Sequence, residues 1–310
     1  MKFRRLGSTE LPVSVIGIGT WQFGGEWGRD YDVAEVRDIL DRGRELGINL
    51  LDTAECYGDH VSERLIGEAI EGRREQWYIA TKFGHRYKGD FQRDQLWSAG
   101  DVLEQLDASL EALRTGYVDL YQFHSGTNEA FDNAELWQAL AEQVEAGRIR
   151  HLGISISKSA SDDHQTNHAR DVGAEAIQVI YNRLDRTPED HVFPTCQRDD
   201  LGVLARVPLA SGYLSGKYRP DATFDNASDV RSRHDRAEVQ RTLQEADRIR
   251  REDVPEDVDM ATWALAWCLQ HPAVTCVIPG CKSVAQVEAN AKAAELDMVR
   301  DDHPQAVVGT

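Results

Sequence analysis

The chain has 310 residues, 35 Lys and Arg against 53 Asp and Glu, and a formal charge of −18. Such a balance repels nucleic acid and anionic membranes, so neither is expected as a partner. No apolar run reaches the ~20 residues of a bilayer span, and the charged start Lys2-Phe3-Arg4-Arg5-Leu6-Gly7 is no signal peptide, so a cytoplasmic protein is expected.

Residues 2–15 alternate around the turn signal Leu6-Gly7-Ser8-Thr9-Glu10, which predicts a small β-hairpin. The β-branched run Val13 to Thr20 follows as a strand, and Val33 to Leu46 spaces its apolar residues at helical intervals. A second strand, Asn49-Leu50-Leu51-Asp52, leads into the loop Thr53-Ala54-Glu55-Cys56-Tyr57-Gly58. Helix 61–69, strand 77–83, helix 102–113, strand 118–124 and helix 134–144 continue the alternation. Strands are predicted again over 149–156, 176–181, 201–209 and 275–279, with a last helix over 284–294.

Eight strands alternating with helices suit βαβ units. A doubly wound sheet and a closed barrel both satisfy alternation, but eight units in a chain above ~250 residues favour the barrel. Gly17-Ile18-Gly19 lacks a third glycine opening a helix, so a Rossmann phosphate loop finds little support. The expected architecture is an α/β (β/α)8 TIM barrel in a single domain over residues 1–310. It has a short N-terminal β-hairpin and an extra helical insertion after strand 7. That insertion, 213–259, is rich in Asp, Arg, Asn and Ser; its early part is expected to serve function, and 237–250 to form a surface helix.

In a barrel, residues at the C-terminal ends of strands converge on one mouth. Four polar residues occupy such places: Asp52 at the end of the second strand, Tyr57 in the loop after it, Lys82 near the end of the third and His124 at the end of the fourth. A carboxylate at a buried strand exit is costly unless a cation faces it. A buried lysine in turn needs a carboxylate to stay charged, and its ammonium favours a tyrosinate. Asp52, Lys82 and Tyr57 supply that chain, with the tyrosine pKa expected to fall from ~10 towards the working pH. His124 would orient or polarise the oxygen to be protonated. Five scattered cysteines with no C-x-x-C pair point to reduced thiols rather than disulfides or a zinc site. Cys56 is set aside as a nucleophile because no basic partner lies near it in sequence.

The chain resembles an aldo-keto reductase over nearly its whole length. The resemblance is carried by Asp52-Thr53-Ala54-x-x-Tyr57-Gly58, Thr81-Lys82, Gln122-Phe123-His124, Gly153-Ile154-Ser155, Gln178, the stretch 208–218 and Ile278-Pro279-Gly280-Cys281-Lys282-Ser283. It implies hydride transfer between a nicotinamide cofactor and the carbonyl of a small molecule, with Asp52, Tyr57, Lys82 and His124 catalytic and Tyr57 the acid. It further implies that Ser155 and Gln178 hold the carboxamide and Ser211 the pyrophosphate, while Lys282, Gln286 and Asn290 meet the adenosine end. Thr20, Trp21, Asp52, Arg206, Leu209, Gly216, Lys217 and Gly280 complete the implied cofactor surface. NADPH is expected ahead of NADH on the single charge of Lys282. Two positions depart from the family pattern. Ile156 stands where asparagine usually follows the serine, and Arg206 stands where an aromatic ring commonly stacks on the nicotinamide.

An NADP(H)-dependent reductase of aldehydes, ketones or sugars is therefore expected. The alternative is a cofactor-binding regulatory protein of the same fold with little turnover. A metal-dependent barrel hydrolase needs histidines clustered at strand ends. His60, His85, His151 and His164 fall mostly in loops, so no metal site is expected. Trp21, Trp27, Tyr87 and Phe91 are candidates for an apolar substrate wall. Finally, 7 lysines against 28 arginines with so large an acidic excess fits a protein that stays soluble in a high-salt cytoplasm, where salt screens self-repulsion. A halophilic source is the corresponding expectation.

Overall fold

The computed structural model describes residues 1–157, 163–225 and 230–307. An antiparallel hairpin, β1 (Phe3–Arg5) and β2 (Pro12–Ser14), precedes the barrel. Eight parallel strands then follow one another around it. They are β3 (Ile18–Gly19), β4 (Leu50–Asp52), β5 (Tyr78–Phe83), β8 (Val118–His124), β9 (Ile149–Ser155), β10 (Ala174–Ile180), β11 (Gly202–Arg206) and β12 (Cys276–Val277). A second hairpin, β6 (His85–Gly89) and β7 (Gln92–Gln95), interrupts the series after β5. The first and last barrel strands meet: Gly17 N donates to Val277 O at 2.8 Å and Gly19 N to Pro279 O at 3.0 Å. The expected (β/α)8 barrel is the observed fold.

Strand period decides what lies inside. Leu50, Ala80, Leu120, Ala176 and Leu204 form one inner apolar layer with Leu6 and Val13 of the first hairpin, which thereby closes the barrel's N-terminal end. Gly7, at φ +54°, makes that approach possible, since a Cβ there would come within 2.1 Å of Gly202 N. The alternate residues Ile79, Tyr121, Ile177 and Val203 face outward into the larger core shared with the helices. Two residues further along each inner row the side chains turn polar: Asp52, Lys82, Gln122, Gln178 and Arg206. The barrel floor is thus apolar and its mouth is charged.

Several helices begin on polar caps. Asp32 and Glu35 form a capping box at helix Val33–Glu45, and Asn133, Asp259 and Ser283 cap Ala134–Glu145, Met260–Leu269 and Val284–Ala291. Ser98 caps Ala99–Ala112, three residues earlier than the apolar stripe predicted. The insertion does hold the expected helix, Arg236–Glu252, which buries Val239, Leu243, Ala246 and Ile249. All five cysteines are free. Among the described residues, no helix is long and apolar enough to cross a membrane.

Candidate active site

Lys82 is fully buried and its ammonium has three partners. They are Asp52 Oδ2 at 3.0 Å, the Thr53 carbonyl at 2.5 Å and the Tyr57 hydroxyl at 3.3 Å. The other oxygen of Asp52 accepts from Gln178 Nε2 at 2.6 Å. Burial opposes the charge on Lys82, but Asp52 and Tyr57 facing it push its pKa up. The three residues that sequence linked are therefore in contact. His124 joins them, its ring edge-on to that of Tyr57 with centroids 6.3 Å apart.

One electrostatic expectation is corrected. The Tyr57 hydroxyl is not lowered; it is pushed up to about 12, because burial outweighs the attraction of Lys82. A proton held this firmly stays on Tyr57 across the neutral range, which suits an acid better than a base. Cys56 does have a basic neighbour, His124 Nδ1 at 3.8 Å, but burial raises the thiol pKa and keeps it from acting as a thiolate nucleophile.

His85, at the start of β6, stacks on His124 with ring centroids 4.5 Å apart. Burial, with Lys82, Arg206 and Arg93 nearby, holds His124 well below the usual imidazole range, and burial beside His124 lowers His85 to about 3. Both rings stay neutral in the folded chain while the unfolded chain protonates them below ~6.5. Acid therefore favours unfolding. Stability is expected to fall by roughly 1.4 kcal/mol per pH unit for each imidazole as pH drops below ~6.5. The raised carboxyl of Glu55 opposes part of this loss. Urea unfolding at pH 7 and pH 5 checks it; equal stability at the two pH values would refute it.

A cavity of about 730 Å³ opens over this cluster. Of the implied cofactor residues, Thr20, Trp21, Asp52, Gln178, Arg206, Leu209, Ser211, Lys217, Gly280, Lys282 and Gln286 line it. Ser155, Gly216 and Asn290 do not. Ser155 lies beneath, its hydroxyl 3.4 Å from Gln178 Oε1. Gly216 ends the turn 210–215 at φ +73°, and Asn290 donates to Cys281 Sγ at 3.4 Å. Among the described residues, five cationic side chains line the cavity (Arg93, Arg206, Lys217, Arg231 and Lys282) against the single carboxylate of Asp52. In a chain of charge −18 that concentration favours an anionic ligand. Ala210, Ser211 and Gly212 are consecutively left-handed, at φ +47°, +55° and +93°. Backbone strain of this kind gathers at ligand clamps.

The two departures meet only through the backbone of residue 156. Arg206 donates to the Ile156 carbonyl at 2.8 Å, and its Nε is buried with no partner among the described residues. Of the proposed substrate wall, Trp21, Trp27 and Phe91 line the cavity. Tyr87 does not; its hydroxyl donates to Asp90 and its ring lies under Arg93. The sequence also gave no warning of Glu26. Buried to 1% exposure, it accepts from Trp21 Nε1 at 2.8 Å and from Phe91 N at 3.0 Å, and it pairs with Arg93. This one carboxylate ties the Trp21 ring to the Phe91 backbone.

A family model described as "Aldo/keto reductase family" matches residues 15–306. The oxidoreductase YqkF of Bacillus subtilis is 32% identical over 312 residues, covering 99% of this chain and 95% of that protein. The NADH-specific methylglyoxal reductase of Escherichia coli is 28% identical, over 96% of this chain and 95% of its own. The holo form of aldo-keto reductase AKR11C1 from Bacillus halodurans superposes with a TM-score of 0.79 at 32% identity, covering 100% of this chain and 98% of the other.

Proposed function

The chain belongs to the aldo/keto reductase family, and on that premise we propose that it reduces the carbonyl group of a small molecule, with Tyr57 as the general acid. The observation that carries this reading is the Tyr57 hydroxyl at the cavity floor, 3.3 Å from an ammonium that is itself 3.0 Å from Asp52. A bound nicotinamide cofactor supplies the hydride. As negative charge grows on the substrate oxygen, Tyr57 gives it a proton, and the ammonium of Lys82 stabilises the phenolate left behind. Asp52 holds Lys82 charged. His124, neutral, directs a ring nitrogen at the same oxygen and fixes its position.

The residues fit such a cofactor. Gln178, which lines the cavity, would hold the carboxamide, and the unpartnered Arg206 Nε would offer a further donor. Ser211 and Lys217 would meet the pyrophosphate. Lys282, Gln286 and, through its support of the loop, Asn290 would meet the adenosine end. NADPH is proposed over NADH, because Lys282 would pair with a 2′-phosphate that NADH lacks. A charge-assisted contact is worth about 1.5–3 kcal/mol, or roughly 10–100-fold in affinity. Fluorescence titration of the protein with each cofactor tests this, at low and at molar KCl. NADPH is expected to bind at least ~10-fold more tightly, with the gap closing in Lys282→Ala. Tighter binding of NADH would overturn the preference, and binding of neither would overturn the oxidoreductase reading.

A further inference from the structure

Around the His124 imidazole lies a group of donors of which carbonyl reduction uses only His124 itself. Glu55 and Cys56 come from the loop after β4, His85 from the start of β6, and His124 from the last position of β8. One donor atom from each lies within 4.8 Å of all the others. Cys56 Sγ and Glu55 Oε1 are each 3.8 Å from His124 Nδ1. We propose that these four side chains form a binding site for one divalent cation of the zinc class.

A second observation points the same way. Glu55 is 2% exposed, and its Oε1 accepts from His85 N at 2.9 Å, yet its Oε2 has no partner among the described residues. The ring nitrogen Nε2 of His85 is also buried and unpartnered. Buried polar atoms left unsatisfied cost about 1–3 kcal/mol each, so native proteins keep few of them. A cation held by these residues gives such atoms a partner.

The chemistry selects the metal. Two imidazoles, a thiolate and a carboxylate suit Zn²⁺ and its neighbours in the transition series, while Mg²⁺ and Ca²⁺ require all-oxygen shells. Zn–N bonds of about 2.0 Å and Zn–S bonds of about 2.3 Å put tetrahedral ligands roughly 3.3–3.8 Å apart, so the donors draw together on binding and the His85 ring, stacked on His124, turns to bring its nitrogen to the ion. Lys82 and Arg93 lie near and oppose a cation. The thiolate and carboxylate together cancel its charge, and coordination drives the Cys56 proton out to solvent. Cys56, His85 and His124 all line the cavity, which gives an ion its route in.

Titration of the full chain, first stripped with a chelator, with Co²⁺ tests the site independently of any turnover. One equivalent is expected to produce the visible bands of tetrahedral cobalt and a thiolate-to-cobalt charge-transfer band, both removed by Zn²⁺. Cys56→Ser should abolish the charge-transfer band. His85→Gln, altering a part-exposed residue at a hairpin's start, should weaken binding by roughly 10-fold or more. Absence of the cobalt bands in the wild type, a charge-transfer band surviving in Cys56→Ser, or unchanged affinity in His85→Gln would each overturn the proposal.

Discussion

Asp52→Ala is expected to cost about 3–5 kcal/mol of folding stability, the loss typical of removing one partner from a buried ion pair. Lys82 has no exposed surface, and all three ammonium protons are engaged, one of them by Asp52. Without the carboxylate, the cation faces only a carbonyl and a phenol in a poorly solvated site. Gln178 also loses the oxygen it donates to at 2.6 Å. The double variant Asp52→Ala/Lys82→Met should recover much of the loss, because an apolar side chain needs no counter-charge. The pH dependence has a definite sign. Since the folded pKa of Lys82 is raised, its contribution to the pair stays constant from neutral pH up to ~10.5, where unfolded lysine begins to lose its charge, and declines above that. Denaturant unfolding of the three proteins measures this, and an Asp52→Ala loss below about 1 kcal/mol would show that the ion pair is not what holds Lys82.

The elements most legible in the sequence are those whose pattern repeats. β5, β8, β10 and β11 could be found because buried parallel strands read as continuous apolar runs, and the residues that break those runs, Lys82, Gln122, Gln178 and Arg206, are the ones the barrel turns toward its mouth. Asp52 and Lys82 were visible as a pair for the same reason: each is a charge that a buried strand cannot leave alone. The β6–β7 hairpin was not legible. His85-Arg86-Tyr87-Lys88-Gly89 and Gln92-Arg93-Asp94-Gln95 are largely exposed and carry no apolar alternation. Without such a pattern the sequence carries no mark of the approach of His85 to His124, or of the donor cluster around Glu55. The apolar stripe of helix Ala99–Ala112 begins three residues inside it, because the first turn faces solvent and only the Ser98 cap marks the start. Val13 to Thr20 read as one strand but divides between the first hairpin and the barrel, a change of partner that composition does not encode. The bond from Arg206 to the Ile156 carbonyl joins positions 50 residues apart, so each looked like an isolated departure.

Tyr57→Phe is expected to lower carbonyl reduction by roughly 10²–10⁴-fold, the usual contribution of a positioned acid. The substitution removes one oxygen and keeps the ring that lies 6.1 Å from Trp21, so the wall and the fold should persist. Lys82 keeps Asp52 and the Thr53 carbonyl, which confines the loss of stability to about one hydrogen bond, on the order of 1 kcal/mol. Because the Tyr57 proton is held up to about pH 12, wild-type reduction should show no loss from its ionisation between pH 6 and 9. The most direct measurement is the single-turnover rate of NADPH oxidation by a reactive aldehyde in wild type and Tyr57→Phe, with cofactor affinity determined alongside. Tyr57 as acid predicts near-equal cofactor binding and a rate at least ~10²-fold lower in the variant; equal rates in the two proteins, whether both fast or both negligible, would contradict it.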